Sequence, residues 1–308
     1  MDSGAIDDSG SNHPIVSPTT WQTMIYGATG PVPEEYCVTE RQIESALTKV
    51  PAVTLGFWII KVLATTFGET AGDSVSMSWL GETTAEAGQG GINGYLAGTA
   101  IFGTILLALV WAQIKARRFN AWLYWATIIA STTAGTTLAD FATRSLGIGY
   151  TGGSLLLLGC VLATLALWKR TTGSVSVETV HTSTAESFYW ATITFSQTLG
   201  TALGDWAADD GGFGYLGGAL LFGGALLAVW ALWQFTALSK VALFWAAFIL
   251  TRPLGATVGD FLDKPFAKGG LDLSRPLATA VLAAVIIGLI WLLPQRAGSH
   301  GGTENPVP

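Results

Sequence analysis

The sequence predicts an all-α protein that crosses a lipid bilayer as a bundle of eight helices, built from four tandem two-helix repeats. Composition is the first reason. Half of the 308 residues are hydrophobic, only 12% are charged, and the mean hydropathy is +0.47, which is too apolar for an ordinary soluble domain. Apolar stretches long enough to cross a bilayer, about 20 residues each, recur from Pro51 to Pro294.

A repeated pattern is the second reason. An aromatic residue followed by tryptophan occurs four times, and we count positions within each repeat from this tryptophan. The tryptophans are Trp58, Trp125, Trp190 and Trp245. Position 10 is always glycine, and position 14 is glycine or alanine. Position 15 is always aspartate: Asp73, Asp140, Asp205 and Asp260. Agreement at all of these positions indicates four copies of one unit.

The apolar stretches, and the polar residues that separate them, predict where the helices and the domains begin and end. The predicted spans are residues 52–73, 93–114, 121–141, 150–168, 187–208, 214–235, 239–262 and 275–293. Residues 1–50 are predicted to be a polar, largely disordered cytoplasmic tail, 51–294 the membrane domain, and 295–308 a polar C-terminal tail. The repeats cover about residues 51–116, 117–170, 185–236 and 237–294.

The basic residues predict the orientation. Because each repeat contains two spans, the first helices of all repeats run in the same direction, and the four aspartates are expected on one side. Nine basic residues lie on the side of the N-terminal tail, whereas the aspartate side carries four: Arg144, Lys264, Lys268 and Arg275. The positive-inside rule therefore predicts a cytoplasmic (inner) membrane protein with both termini in the cytoplasm.

The sequence FWIIKVLATTFGETAGD, from Phe57 to Asp73, contains the full pattern of one repeat. With its four tryptophans, the chain resembles a bacterial family of integral membrane proteins of unknown function. That family has four tandem repeats, each with two transmembrane helices and a signature tryptophan. The resemblance covers about residues 51–294. It implies the eight-helix architecture and no biochemical activity.

Polar residues form a stripe on the first helix of each repeat. At 100° per residue, positions 0, 7, 11 and 15 share one face, which should point into the bundle because polar groups are costly in hydrocarbon. Glu69 and Asp73 lie one helical turn apart in the first repeat, so their charges should repel. Such a pair favours a proton, a cation or a counter-ion, and Arg252 of the fourth repeat is a candidate counter-ion.

Structural roles are the alternative for these positions. The aspartates lie near helix C-termini, where the helix dipole disfavours a carboxylate, so a lysine such as Lys264, a neighbouring helix N-terminus or a bound cation should compensate them. Solvent or headgroups could also cap them. The tryptophans are expected to pack the inner face or mark the cytoplasmic interface, with the lining of a pathway as the other possibility.

Several functional classes are disfavoured. The formal charge of −6 and the lack of a basic patch argue against nucleic-acid binding. Cys37 and Cys160 form no metal-ligand cluster, and no nucleotide, cofactor or nucleophile motif occurs. We therefore expect neither an enzyme nor a cofactor.

Secondary transport of a small solute or cation through a polar interior is the leading hypothesis. Its binding and charge-balancing residues would be Glu69, Asp73, Asp140, Asp205, Asp260 and Arg252. The expected partners are the lipid bilayer and a small cation or proton, and the sequence leaves the oligomeric state open. A membrane scaffold or sensor that transports nothing is the alternative.

Overall fold

The computed structural model describes residues 47–81 and 93–299. This part of the chain contains eight α-helices: α1 (Leu55–Asp73), α2 (Gly94–Lys115), α3 (Ala121–Asp140), α4 (Gly149–Thr172), α5 (Ser183–Asp205), α6 (Gly214–Phe235), α7 (Lys240–Asp263) and α8 (Arg275–Leu292). Every predicted span agrees with a helix to within four residues at each end. The predicted all-α class with eight paired helices is confirmed.

Two short strands join the ends of the helical bundle. Strand β1 (Leu47–Pro51) precedes α1, and β2 (Ala297–Ser299) follows α8. The strands pair antiparallel, with Leu47 opposite Ser299 and Pro51 opposite Ala297. The rest of the predicted tails, residues 1–46 and 300–308, lies outside the described residues, so the tail and domain boundaries stay predictions.

Polar residues set the starts of five helices. The side chains of Thr54, Asn93, Asn120, Thr182 and Ser239 each accept a hydrogen bond from a backbone N–H in the first turn that follows. These bonds satisfy N–H groups that have no partner within the helix. Thr54, Asn93 and Asn120 directly precede apolar runs, and the predicted starts of the helices that follow lie within three residues of the observed ones. The predicted start of α5 lies four residues too late, because residues 183–187 are largely polar.

The first helices of the four repeats form a closed inner ring. In this ring α1 packs against α3, α3 against α5, α5 against α7, and α7 back against α1. Helices α2, α4, α6 and α8 lie outside it. Only 11–22% of the most apolar stretch of each outer helix is buried, compared with 56% for α7. The outer helices therefore expose their apolar side chains to lipid.

Length and hydropathy identify five helices that can cross a membrane: α2, α4, α6, α7 and α8. Helices α1, α3 and α5 contain 19, 20 and 23 residues. At about 1.5 Å per residue, these lengths match a hydrocarbon core of about 30 Å. Their lower hydropathy comes from polar side chains that are buried in the ring. The protein is thus a multi-pass membrane protein.

Each outer helix packs mainly against the inner helix of the next repeat rather than that of its own. Gly98 of α2 faces Thr137 of α3, and Gly218 of α6 faces Thr257 of α7. The last outer helix, α8, packs against α1 of the first repeat, where Thr279 Oγ1 donates to Thr70 Oγ1 over 3.0 Å. The ring is closed by this contact between the two ends of the chain.

Three inner helices widen immediately after their position-15 aspartate. The π-helical segments Ser74–Trp79, Phe141–Ser145 and Trp206–Asp210 continue α1, α3 and α5 without a break. Single π turns within helices occur often at functional sites. Helix α7 differs, because it stays α-helical to Asp263 and ends before Lys264 and Pro265. The aspartate end is therefore the least regular part of the ring.

Candidate functional site on the axis of the inner ring

Glycines at position 10 bring neighbouring inner helices into close contact. Each packs against the position-7 residue of the next repeat: Gly68 against Thr132, Gly135 against Gln197, Gly200 against Arg252, and Gly255 against Thr65. A Cβ atom at Gly68, Gly200 or Gly255 would overlap the facing side chain. Since these contacts follow one cyclic order through all four repeats, the inner helices have approximate fourfold symmetry about a central axis.

An aromatic layer closes the tryptophan end of the ring. It consists of the four repeat tryptophans and the aromatic residue before each. Each preceding residue contacts the tryptophan of the next repeat: Phe57–Trp125 at 5.5 Å, Tyr124–Trp190 at 5.7 Å, Tyr189–Trp245 at 6.2 Å and Phe244–Trp58 at 5.7 Å between ring centroids. Trp125, Trp190 and Trp245 are buried and Trp58 is half-buried. The tryptophans thus pack the inner face of the bundle.

Arg252 lies at the centre of the ring, and its side chain is fully buried. Its Nη2 atom lies 2.8 Å from Glu69 Oε2 of α1 and 2.7 Å from Thr136 Oγ1 of α3. The same atom contacts Thr201 Oγ1 of α5. One guanidinium nitrogen therefore contacts the other three inner helices. Glu69, Thr136 and Thr201 all occupy position 11, and the counter-ion that the sequence suggested for Glu69 is present.

An aspartate layer lies one turn farther from the tryptophans. Its four position-15 aspartates are buried and are grouped in pairs by two basic side chains. Lys264 Nζ lies 2.7 Å from Asp73 and 2.9 Å from Asp260. Arg144 lies 3.1 Å from Asp140 and 3.5 Å from Asp205. Each basic residue follows the aspartate of its own repeat by four positions and reaches the aspartate of a neighbouring repeat.

The charge state of Lys264 follows from its surroundings. Burial by itself would lower the pKa of its ammonium group, but the carboxylates of Asp260, Asp73 and Asp263 hold that pKa well above its ordinary value. The side chain is therefore a fixed positive charge between two repeats. The compensation that the sequence required at the helix C-termini is thus supplied, for Asp73 and Asp260, by lysine.

Three carboxylates from two adjacent helices lie close together. Oxygen atoms of Glu69, Asp73 and Asp260 all fall within 4.8 Å of one another, and all three side chains are buried. Oxygen ligands at such separations suit a hard cation, and close carboxylates also favour the uptake of a proton. Lys264 already contacts two of the three. A cation bound here would therefore have to compete with or displace its ammonium group.

A cavity of about 480 Å³ opens at the aspartate end. All four basic residues of this side contribute to its lining: Arg144, Lys264, Lys268 and Arg275. Arg144 and Lys264 also contact the aspartates, so the cavity adjoins the aspartate layer through these two side chains. The aromatic layer lies at the opposite end of the ring.

Comparison with known proteins agrees with this fourfold geometry. A family model described as Repeat of Unknown Function (DUF347) matches the chain four times, over residues 56–119, 123–174, 188–238 and 243–297. The chain belongs to the DUF347 family. No curated protein and no solved structure matches it. Each DUF347 match starts close to one aromatic-tryptophan pair, so the family unit and the structural repeat coincide.

The predicted site residues divide into three groups in the structure. Glu69, Asp73, Asp260 and Arg252 come together at the interface of DUF347 repeats one and four. Asp140 and Asp205 form a separate pair with Arg144 between repeats two and three. The tryptophans lie at the other end of the ring. Sequence reasoning missed the bridging role of Arg144. Its signal was a basic residue at position 19, which occurs in repeats two and four and nowhere in one and three.

Proposed function

We propose that this protein is a secondary transporter that moves a small solute along the axis between the four inner helices. The observation that carries the proposal is a column of buried polar side chains on that axis, from the 480 Å³ cavity through the aspartate layer to Arg252. Ionisable groups are expensive within a bilayer and commonly mark substrate or ion pathways. Repeated helical units with a site near the midplane are also common in transporters.

Charge balance supports coupling to a proton or a cation. Along the axis, Glu69 and the aspartate layer supply five carboxylates against four basic side chains, Lys61, Arg252, Arg144 and Lys264. An excess of negative charge in a buried region favours the uptake of protons or cations. Glu69, Asp73 and Asp260 are the strongest candidates for this coupling site because their oxygens converge. We expect no catalytic activity, since the sequence contains no nucleophile or cofactor motif.

Transport can be tested in proteoliposomes that contain a pH-sensitive dye. Inward gradients of sodium, potassium, chloride, nitrate and formate salts would be imposed in turn, and proton movement recorded from the dye. We expect flux above that of protein-free vesicles with at least one salt, and at least tenfold slower flux in Glu69→Gln. Glu178→Gln is the matched control, because Glu178 lies exposed in the loop before α5. Absence of flux with every salt, or equal flux in Glu69→Gln, overturns the proposal.

A non-transporting scaffold is the second candidate. It is favoured by the ion pairs themselves, because Glu69 and the aspartates all have basic partners from the same or an adjacent helix. Such pairs would hold the helices in register. A scaffold predicts that Glu69→Gln lowers thermal stability in detergent, while no salt in the series produces flux or stabilises the wild type.

The positive-inside distribution supports a cytoplasmic-membrane location with both termini in the cytoplasm and the aspartate end outside. Lys268 lines the exposed cavity and provides a test. In a variant without native cysteines, Lys268→Cys should react with a membrane-impermeant maleimide added to intact cells. Labelling only after cell lysis would indicate the opposite orientation, with the aspartate end in the cytoplasm.

A further inference from the structure

Four buried polar side chains within the inner ring have open hydrogen-bonding capacity. They are Lys61 (position 3 of repeat one), Thr132 and Gln197 (position 7 of repeats two and three) and Arg252 (position 7 of repeat four), and each is fully buried. Within the described residues, no hydrogen bond is made by Lys61 Nζ, Thr132 Oγ1, either amide atom of Gln197, or Nε and Nη1 of Arg252. Buried polar atoms without partners are rare in native proteins and call for a ligand or water.

Their positions place these groups in one layer. Thr132 and Gln197 each lie one helical turn before a threonine, Thr136 or Thr201, that contacts Arg252. Lys61 lies with its ammonium 4.1 Å from the ring centroid of Phe248, which is one turn before Arg252. Each of these steps of one turn leads toward the tryptophans, so Lys61, Thr132 and Gln197 lie between the aromatic layer and the Glu69–Arg252 pair. Together with the open nitrogens of Arg252, they form what we call the donor layer.

The unpaired polar atoms of the donor layer are mainly hydrogen-bond donors. A lysine ammonium offers three hydrogens, the glutamine amide nitrogen two, and the open guanidinium nitrogens of Arg252 three more. The acceptors are the amide oxygen of Gln197 and the hydroxyl of Thr132. Lys61 and Arg252 are its two basic side chains, and Glu69 is the one carboxylate in contact with either of them among the described residues. The layer thus has an excess of hydrogen-bond donors, and basic side chains outnumber carboxylates in it.

We propose that the donor layer is a binding site for a small monovalent anion, such as a halide, nitrate or formate, held by Lys61, Arg252 and Gln197. The position-10 glycines hold the helices close together around this layer, which restricts a ligand here to a small ion. An anion supplies the acceptors and the negative charge that the four side chains lack. The proposal rests on the transport function above for its biological role, and it names the class of solute. An anion here with a proton on the Glu69–Asp73–Asp260 cluster would cross the membrane as a neutral pair.

Binding can be measured apart from transport. Purified protein in detergent would be unfolded thermally while sodium nitrate replaces sodium gluconate at constant ionic strength, and then while choline nitrate replaces choline gluconate. We expect nitrate to raise Tm with either cation, by roughly 5 °C at about 100 times Kd. A rise that requires sodium would indicate a cation site and overturn the proposal, as would no rise at all.

Two variants locate the anion. Lys61→Met keeps most of the side-chain volume and removes the charge, and Gln197→Met removes the amide without changing charge. Both should lose at least 80% of the nitrate-dependent shift, even if the starting Tm differs from that of the wild type. Lys169→Met is the control, because Lys169 lies exposed in the last turn of α4, outside the inner ring. A shift that persists in both donor-layer variants, or disappears in Lys169→Met, places the anion elsewhere.

The outcomes of the two sets of experiments are separable. A nitrate-dependent rise in Tm that requires Lys61, without any flux in liposomes, would support the anion site and contradict the proposed transport function. Proton flux with a sodium or potassium gradient, together with no anion-dependent rise in Tm, would support transport and contradict the anion site.

Discussion

Arg252 and Thr136 are 2.7 Å apart although their helices, α7 and α3, lie diagonally across the inner ring. The guanidinium of Arg252 therefore occupies the axis itself, and it replaces the side chain that position 11 of the fourth repeat does not provide, since Ala256 stands there. The other three repeats place Glu69, Thr136 and Thr201 at this position. One arginine thus connects all four repeats at the centre of the membrane domain.

Removal of one partner of the Arg252–Glu69 pair should be costly. Arg252→Gln leaves a buried carboxylate without its cation, so we expect the free energy of unfolding to fall by about 3–5 kcal/mol. Glu69→Gln with Arg252→Gln should cost clearly less than the sum of the single variants. Denaturation in detergent micelles measures all three. Additive effects would mean that the two side chains do not interact.

Gly200→Ala should destabilise the ring, because a Cβ atom there meets Cβ and Cγ of Arg252. Overpacking of this kind costs about 1–3 kcal/mol. Gly224→Ala is the matched control on α6: nothing lies within 4 Å of a Cβ at Gly224, and alanine is the better helix former. We expect a lower Tm for the first variant and an unchanged or higher Tm for the second. Equal effects would contradict close contact at position 10.

Lys264→Met should weaken the interface of repeats one and four, since Asp73 and Asp260 lose their shared cation. We expect a loss of about 3 kcal/mol, typical of an uncompensated buried charge. The addition of Asp73→Asn should recover part of this loss, because it removes one of the two carboxylates left without their cation. Lys268→Met, at an exposed position, should leave stability unchanged. No recovery in the double variant would show that Lys264 acts mainly through packing.

The contact between α8 and α1 can be tested with a disulfide. In a variant without Cys37 and Cys160, Thr70→Cys with Thr279→Cys should cross-link on mild oxidation, because the two hydroxyl oxygens are 3.0 Å apart. Such a separation suits the short distances of a disulfide. Thr70→Cys with Thr104→Cys is the control, since Thr104 is exposed on α2. Cross-linking only in the control pair would mean that α1 packs with its own repeat.

The helices and the polar stripe were accessible from the sequence because both depend on local periodicity. The regular spacing of Trp58, Gly68 and Asp73, repeated three times more, sets one face of each inner helix. The pairing of Arg252 with Glu69 could be suggested because few charges of opposite sign lie on these faces.

Long-range order was less accessible. No local pattern in the sequence predicts that α8 packs against α1, or that β1 pairs with a strand about 250 residues later. The reach of Arg252 to Thr136 depends on the order of four helices around an axis, and the isolation of Gln197 depends on what its neighbours already bind. Glycine at position 10 of every repeat is visible in the sequence, but the cyclic partners of these glycines follow only from the closed ring.

The antiparallel pair of β1 and β2 places residues 47 and 299 side by side, where the contact of α8 with α1 closes the ring. Which repeat comes first along the chain is therefore arbitrary, provided that the cyclic order of the repeats is kept. A circular permutant that joins residues 299 and 47 by a short linker, and begins instead in the loop at 173–182, would keep every helix contact. Its cysteines at positions 70 and 279 should still cross-link, because the contact between α8 and α1 does not depend on which helix comes first along the chain.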